Sequence, residues 1–378
     1  MTKILFLVAE DWYFLSHRKP LADACVRRGW DVVIATRLNG SDAVLTDAGY
    51  QVEPIPMHRS GMNPWQELKT LGAIIRVIHR QKPDILHLVA MKPVLYGGIA
   101  ALLCRVPAVV SALAGMGYLF TGTRRRLSVL RTAIRGLMKL LINRRGSYLI
   151  LQNQDDWRDM IASGVGNPDR MMLARGSGVD TQTLVPIPPP PTPPVIFAAV
   201  SRMLADKGLR ELADAARELR RRKVAAEVWL VGSTDPLNPS SLSEEELKGW
   251  ETEGILRWLG HRSDIGAVWA MAHVAVLPSY REGMPKALLE AEACGKAVIT
   301  TDVQGCREAI EDGVEGILVP VREALPLADA IQTLAEDAPL RLRMSQAARD
   351  RAVRLFDKDL IVQQHLDLYD KALAASRC

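Results

Sequence analysis

Short apolar runs alternate with longer amphipathic stretches from the first residues of the chain onward. Residues 4–9, 32–36, 84–90, 108–113 and 147–152 are rich in β-branched and aliphatic side chains and predict buried strands. Between them, 15–29, 64–81, 94–104 and 127–142 have helical length and period. Continuous apolar strands separated by helices predict parallel βαβ units with helices on both faces. The alternation stops at Pro186-Ile187-Pro188-Pro189-Pro190-Pro191-Thr192-Pro193-Pro194, which suits neither element and predicts an extended linker. It restarts with strands at 195–200, 227–232, 255–260, 273–277 and 297–301 and helices at 209–222 and 284–294. Helical segments at 326–337, 339–355 and 358–375 close the chain. The expected fold is α/β: two doubly wound, Rossmann-like domains, 1–185 and 195–357, facing across a cleft. The helix at 358–375 is expected to return to the first domain.

Composition agrees with a globular chain: 378 residues, 24% charged, 48% hydrophobic. The net charge of +5 hides an asymmetry. Up to Val185 there are 24 basic and 14 acidic residues, against 24 and 29 after it. A basic half beside an acidic half points to a polyanion or membrane surface as partner of one side only. The five cysteines have no paired spacing, which reads as reduced thiols, not bridges or a zinc site. The apolar run after Lys3 leads into Glu10-Asp11 with no cleavage signature, and 93–120 is broken by Arg105 and Pro107. A cytoplasmic protein is expected. No Gly-rich dinucleotide fingerprint follows the first strand and no phosphate-loop Lys motif occurs, which disfavours nicotinamide, flavin and P-loop chemistry.

Two stretches carry chemistry. In Leu277-Pro278-Ser279-Tyr280-Arg281-Glu282-Gly283-Met284-Pro285-Lys286, a strand ends, a turn follows, and Pro285 is expected in the first turn of a helix. The amides of Gly283, Met284 and Lys286 are then orphan donors at a positive helix end, suited to phosphate or sugar oxygens. Glu282 stands at the mouth of the turn and Glu290 further along the helix. The second stretch, Ser201-Arg202-Met203-Leu204-Ala205-Asp206-Lys207-Gly208, places two cations at another strand end. Together they form a diphosphate cradle, Arg202 as a fork and Lys207 as a point charge.

Arg202…Lys207-Gly208 followed by Glu282-x7-Glu290 resembles the donor site of family 4 of the retaining GT-B glycosyltransferases. The likeness runs through Gly260-His261-Arg262, Gly305-Cys306-Arg307-Glu308 and Asp312-Gly313, and so spans nearly the whole chain. It implies that Arg202 and Lys207 neutralise a donor diphosphate and that Glu282 meets the donor sugar. It further implies that Gly283, Met284, Pro285 and Lys286 line the sugar and phosphate, Glu290 the ribose, and His261 and Arg262 the base. No metal or other cofactor is implied. The family's usual acceptor-side His has no counterpart in 109–120.

Gly115-Met116-Gly117-Tyr118, Met91-Lys92-Pro93 and Arg59-Ser60-Gly61 resemble a narrower group that extends undecaprenyl-diphosphate-linked saccharides from UDP-N-acetylhexosamines. On that likeness His17, Arg18, Arg59, Lys92, Gly115 and Gly117 are candidates for a lipid-linked acceptor. Independently, 123–146 holds Arg124, Arg125, Arg126, Arg131, Arg135, Lys139, Arg144 and Arg145 with no acid. Arg131, Arg135 and Lys139 share one helical stripe and Leu130, Ile134, Met138 and Leu141 another, an arrangement suited to an anionic membrane surface. Aromatics at 5% do not interleave with this run, so nucleic acid is not expected as a partner. The expected function is transfer of a sugar from UDP-sugar to a polyprenyl-diphosphate-linked saccharide by a protein peripherally bound to the inner membrane face. A UDP-sugar 2-epimerase and a catalytically silent sugar-nucleotide-binding partner stay open as alternatives.

Overall fold

A computed structural model describes residues 1–57, 63–113 and 128–377, side chains of 128–131 and 377 excepted. The chain forms two compact units, Met1–Ser177 with Asp359–Cys378, and Gly178–Lys358.

The first unit holds β1 (Lys3–Glu10), β2 (Asp31–Arg37), β3 (Gln51–Pro54), β4 (Ile85–Val89), β5 (Ala108–Leu113), β6 (Ser147–Leu151) and β7 (Met171–Leu173). They form one parallel sheet in the order β3-β2-β1-β4-β5-β6-β7. Ile4, Phe6 and Val8 of β1 pack into one core with Phe14, Leu21, Leu366 and Tyr369. Leu5 and Leu7 face the opposite core with Val94, Met138 and Ile142. Burial on both faces is why this strand reads as a continuous apolar run. The final helix, Lys358–Arg377, supplies Val362, Leu366, Tyr369 and Ala372 to the first of these cores.

The second unit holds β8 (Val195–Val200), β9 (Ala226–Val231), β10 (Arg257–Trp258), β11 (Val274–Leu277), β12 (Ala297–Thr301) and β13 (Gly316–Val319). Its parallel sheet has the order β10-β9-β8-β11-β12-β13. In each sheet the direction of strand addition reverses once, between β1 and β4 and between β8 and β11. Crevices for ligands open outside the carboxyl ends of strands at such switch points. The two predicted chemical stretches follow β8 and β11.

The structure corrects several expectations. The passage between units falls at Ser177/Gly178, not at the proline-rich segment. Residues 178–185 pack on the second unit. Val179 N donates to Phe356 O at 2.8 Å, and Arg349 donates to the Thr181 and Leu184 carbonyls, each at 2.9 Å. The proline segment stays with that unit too, its Pro190 carbonyl held by His273 Nε2 at 2.9 Å. The stretch 15–29 is two helices, Asp11–His17 and Lys19–Arg27, broken at Arg18 because Pro20 has no N–H for the Ser16 carbonyl. Edge strands β3, β7 and β13 were not expected from the pattern, being four residues or shorter. Among the described residues, no helix is long and apolar enough to cross a membrane.

Candidate active site

The strand-to-helix connections after β8 and β11 meet at the second unit's switch point. After β8 the chain passes Arg202 and a single helical turn, Ala205–Lys207, then enters the helix Leu209–Arg221 through Gly208. Gly208 has φ +69°, and a Cβ there would lie 2.0 Å from the Pro278 carbonyl oxygen, so only glycine lets the two connections touch. Tyr280 N donates to Asp206 O at 2.9 Å and locks them further.

Lys207 Nζ is hydrogen-bonded to Glu282 Oε1 across this contact, with the side chains 19% and 12% exposed. Ser279 Oγ donates to the same oxygen at 2.7 Å. Glu282 is thus a held, half-buried carboxylate and not a solvated loop acid. The helix that follows is Lys286–Ala293, and Pro285 is its N-cap, one position earlier than expected. The Pro285 carbonyl accepts from Leu288 N at 2.9 Å and so closes the first turn. Glu290 pairs with Lys286 at 3.4 Å, and burial pushes its carboxyl above the usual range. Behind the turn, a Cβ at Gly305 would lie 2.4 Å from the Gly283 carbonyl oxygen, so the connection after β12 braces the first.

Arg202 lies on the same connection as Lys207, its Nη1 donating to Asp235 Oδ2 at 2.7 Å. His261 and Arg262 stand at the end of β10 and make no hydrogen bond with Lys207 or Glu282 among the described residues. Arg262 is forked onto Asp264 at 2.7 and 2.5 Å, which holds the Asp264 carboxyl down near 2. The second unit thus presents two cations, two acids and a helix start along one sheet edge, a set suited to an elongated anion with hydroxyl groups.

Comparison with known proteins gives this edge its family. Residues 3–153 match the description "Glycosyl transferase 4-like" and residues 194–337 match "Glycosyl transferases group 1". The chain is a glycosyltransferase built from a glycosyl transferase 4-like domain and a group 1 glycosyl transferase domain. It is 28% identical to the Campylobacter jejuni N,N'-diacetylbacillosaminyl-diphospho-undecaprenol alpha-1,3-N-acetylgalactosaminyltransferase, over 95% of this chain and 98% of that protein. It is 24% identical to the Escherichia coli UDP-Gal:alpha-D-GlcNAc-diphosphoundecaprenol alpha-1,3-galactosyltransferase, over 80% and 79%. The crystal structure of Anabaena HepE in complex with UDP superposes with a TM-score of 0.77 at 20% identity, covering 98% of this chain and 100% of that one. The fold is GT-B.

The other sheet edge of this glycosyltransferase is arranged differently. His17 stacks on Tyr13 with ring centroids 4.2 Å apart. Arg18 is only 2% exposed and its Nη1 donates to the His17 carbonyl at 3.3 Å. Lys92 Nζ donates to Glu67 Oε1 at 2.8 Å, and Tyr96 donates to the other oxygen of Glu67 at 2.7 Å. Arg59, Gly115, Gly117, Arg124, Arg125 and Arg126 lie outside the described residues, as does the side chain of Arg131.

The helix Ser128–Ile142 turns Ile134, Met138, Leu141 and Ile142 inward, with Leu141 against Gly98. The described part of the apolar stripe is therefore spent on the unit's own core. Arg135 is half-buried; Lys139 and Leu140 are exposed. Sequence reasoning missed Ser279, Gly305 and Asp235. The first two sit inside motifs already singled out, and Asp235 carried no signal beyond an acid in a Pro- and Ser-rich loop.

Proposed function

We propose that this glycosyltransferase is a retaining, metal-independent enzyme that moves an N-acetylhexosamine from a UDP-sugar to a polyprenyl-diphosphate-linked saccharide. The observation that carries the donor half is the Lys207–Glu282–Ser279 constellation at the β8/β11 switch point, with Arg202 on the same connection. Loss of UDP leaves positive charge on the sugar and negative charge on the departing phosphate. Arg202, Lys207 and the amides at the start of Lys286–Ala293 supply fixed positive charge for that phosphate without a resident metal. Glu282, held by Lys207 and Ser279, orients sugar hydroxyls, and Glu290 takes the ribose. The departing phosphate accepts the acceptor's proton, so the missing acceptor-side His is not required for retention.

The acceptor half is assigned to the first unit. The names of the Campylobacter jejuni and Escherichia coli relatives, both acting on undecaprenyl-diphosphate saccharides, support a lipid-linked acceptor. Contact with an anionic membrane surface then rests on exposed cations such as Lys139 and on Arg124, Arg125 and Arg126, by attraction and not by insertion of the helix.

The test is incubation with a panel of UDP-sugars and short undecaprenyl-diphosphate saccharides, followed by mass analysis and anomeric NMR of the lipid product. The expected result is one added N-acetylhexosamine with the donor's anomeric configuration kept. An inverted linkage refutes retention. An epimerised nucleotide sugar formed without acceptor, or tight UDP-sugar binding with no product from any lipid, refutes transfer.

A further inference from the structure

Beyond the Asp235–Arg202 pair, the segment 233–242, between β9 and the helix Glu244–Glu253, is tied closely to the connection that carries Arg202 and Lys207. Met203 N donates to Ser233 O at 3.0 Å, Ala205 N to Ser240 O at 2.7 Å, and Leu242 N to Met203 O at 2.9 Å. Ser240 Oγ donates to Asp206 Oδ1 at 2.7 Å. The segment is also fixed in itself. Asp235 N donates to Ser241 Oγ at 3.0 Å, Asn238 N to Asp235 O at 2.7 Å, and Ser240 N to Asn238 Oδ1 at 3.0 Å.

From this framework the Asp235 carboxylate reaches Arg202 Nη1 at 2.7 Å. Both side chains are about one-third exposed, 38% and 30%, and an ion pair so open to water contributes little to stability. Its value lies in orientation. A guanidinium has five donors in a planar fork, and Asp235 engages one of them. The other four have no partner among the described residues, so the planar edge stays available to an anion.

We propose that Asp235 is a positioning residue for the transfer reaction. It fixes the Arg202 guanidinium, and the 233–242 segment is the brace that fixes Asp235. The proposal rests on the reading of Arg202 as a ligand of the donor diphosphate. A negative group beside a phosphate site carries an electrostatic cost, so Asp235 is a net gain only if preorganisation of Arg202 exceeds that repulsion.

A double-mutant cycle decides it, with donor kinetics and calorimetric UDP titration on Asp235→Ala, Asp235→Asn, Arg202→Ala and the double variant. Asp235→Ala should lower kcat/KM for the UDP-sugar by about tenfold, most of it in kcat. Asp235→Asn, whose amide oxygen still accepts from Nη1, should recover most of the loss. In the Arg202→Ala background, Asp235→Ala should have no further effect. If Asp235→Ala tightens UDP and leaves turnover unchanged, the carboxylate is only a competing counter-ion and the proposal fails. It also fails if the two single losses multiply, because Asp235 then acts independently of Arg202. Where the alanine variant melts early, Asp235→Glu shifts the carboxylate by one methylene while keeping its charge. Reduced turnover there supports positioning, and wild-type turnover overturns it. If Arg202→Ala itself leaves transfer intact, the donor-site reading falls and the proposal with it; a large Arg202→Ala loss beside an inert Asp235→Ala removes the proposal alone.

Discussion

The two sheets share one plan and differ at the edge where each plan places its ligand. At the β8/β11 switch the functional side chains come from connections that touch each other through glycines, and Lys207, Ser279 and Glu282 meet in one cluster. At the β1/β4 switch Asp11 and Lys92 are engaged by neighbours within the unit. Asp11 is buried and accepts from the backbone of Asn39 at 2.6 Å, Arg18 is buried, and Lys92 is paired with Glu67. A flexible nucleotide diphosphate gains most from a preorganised cradle, and the fixed Lys207–Ser279–Glu282 cluster is the one proposed here. The buried titratable groups differ in kind as well. The first unit buries His87 and His365, whose imidazoles burial pushes down, and the second buries Glu292, whose carboxyl burial pushes up.

The largest effect should separate the two edges in turnover. Glu282→Ala is expected to cut transfer by about 10²–10³-fold, the scale of losing one preorganised electrostatic contact in an active site. Lys92→Ala, whose cation is already shared with Glu67, should cost less than about tenfold. Equal losses in initial-rate assays would break the comparison.

Next comes backbone packing. Gly305→Ala sets a Cβ 2.4 Å from the Gly283 carbonyl oxygen at φ +67°. It should destabilise the second unit by about 2–4 kcal/mol, strain and backbone overlap together. Gly164→Ala in the first unit has φ +66° with nothing within 4 Å, so it should show only the conformational strain of about 1–2 kcal/mol. Urea melts of the two variants supply the check, and equal midpoint shifts would show that Gly305 braces nothing.

The pH response should differ in sign. Burial pushes His365 down to about 4 and His87 well below its usual range. Unfolded imidazoles take protons near ~6.5, so their contribution to the first unit is complete above that value and is lost as pH falls toward 4. Burial pushes Glu292 well above the carboxylate range. An unfolded carboxyl ionises near ~4.3, so this contribution to the second unit is complete below that value and is lost as pH rises. Glu292→Leu should therefore stabilise the second unit more at pH 8 than at pH 5, as read by hydrogen exchange resolved by unit. A variant effect that does not depend on pH contradicts the assignment.

The smallest effect concerns the membrane. Lys139→Ala should weaken binding to anionic vesicles in sedimentation by about 1 kcal/mol, the loss of one surface cation. Neutral vesicles should show no difference, and unchanged binding to anionic ones would remove this surface from the account.

What could be read from the chain follows the same division. The buried strands were legible because two-faced burial writes itself as an apolar run, as in β1 and β8. Edge strands such as Gln51–Pro54 have a single buried residue and leave no such trace. The strand end, the turn with Gly283 and Pro285, and the helix start of the proposed donor cluster were legible because local sequence builds them. Its partners Gly305 and Asp235 come from other connections and are brought in only by sheet order. The burial of Arg18 likewise leaves no local trace, because a cation in a predicted helix reads as exposed.

The central claim is that the donor nucleotide belongs to the connections after β8 and β11. Calorimetric titration of UDP into the wild-type protein, Lys207→Ala and Lys92→Ala tests it most directly. The account predicts UDP binding that is weakened at least about tenfold by Lys207→Ala, the loss of one charge-assisted contact, and is unaffected by Lys92→Ala. Retention of UDP by Lys207→Ala with loss in Lys92→Ala would contradict it.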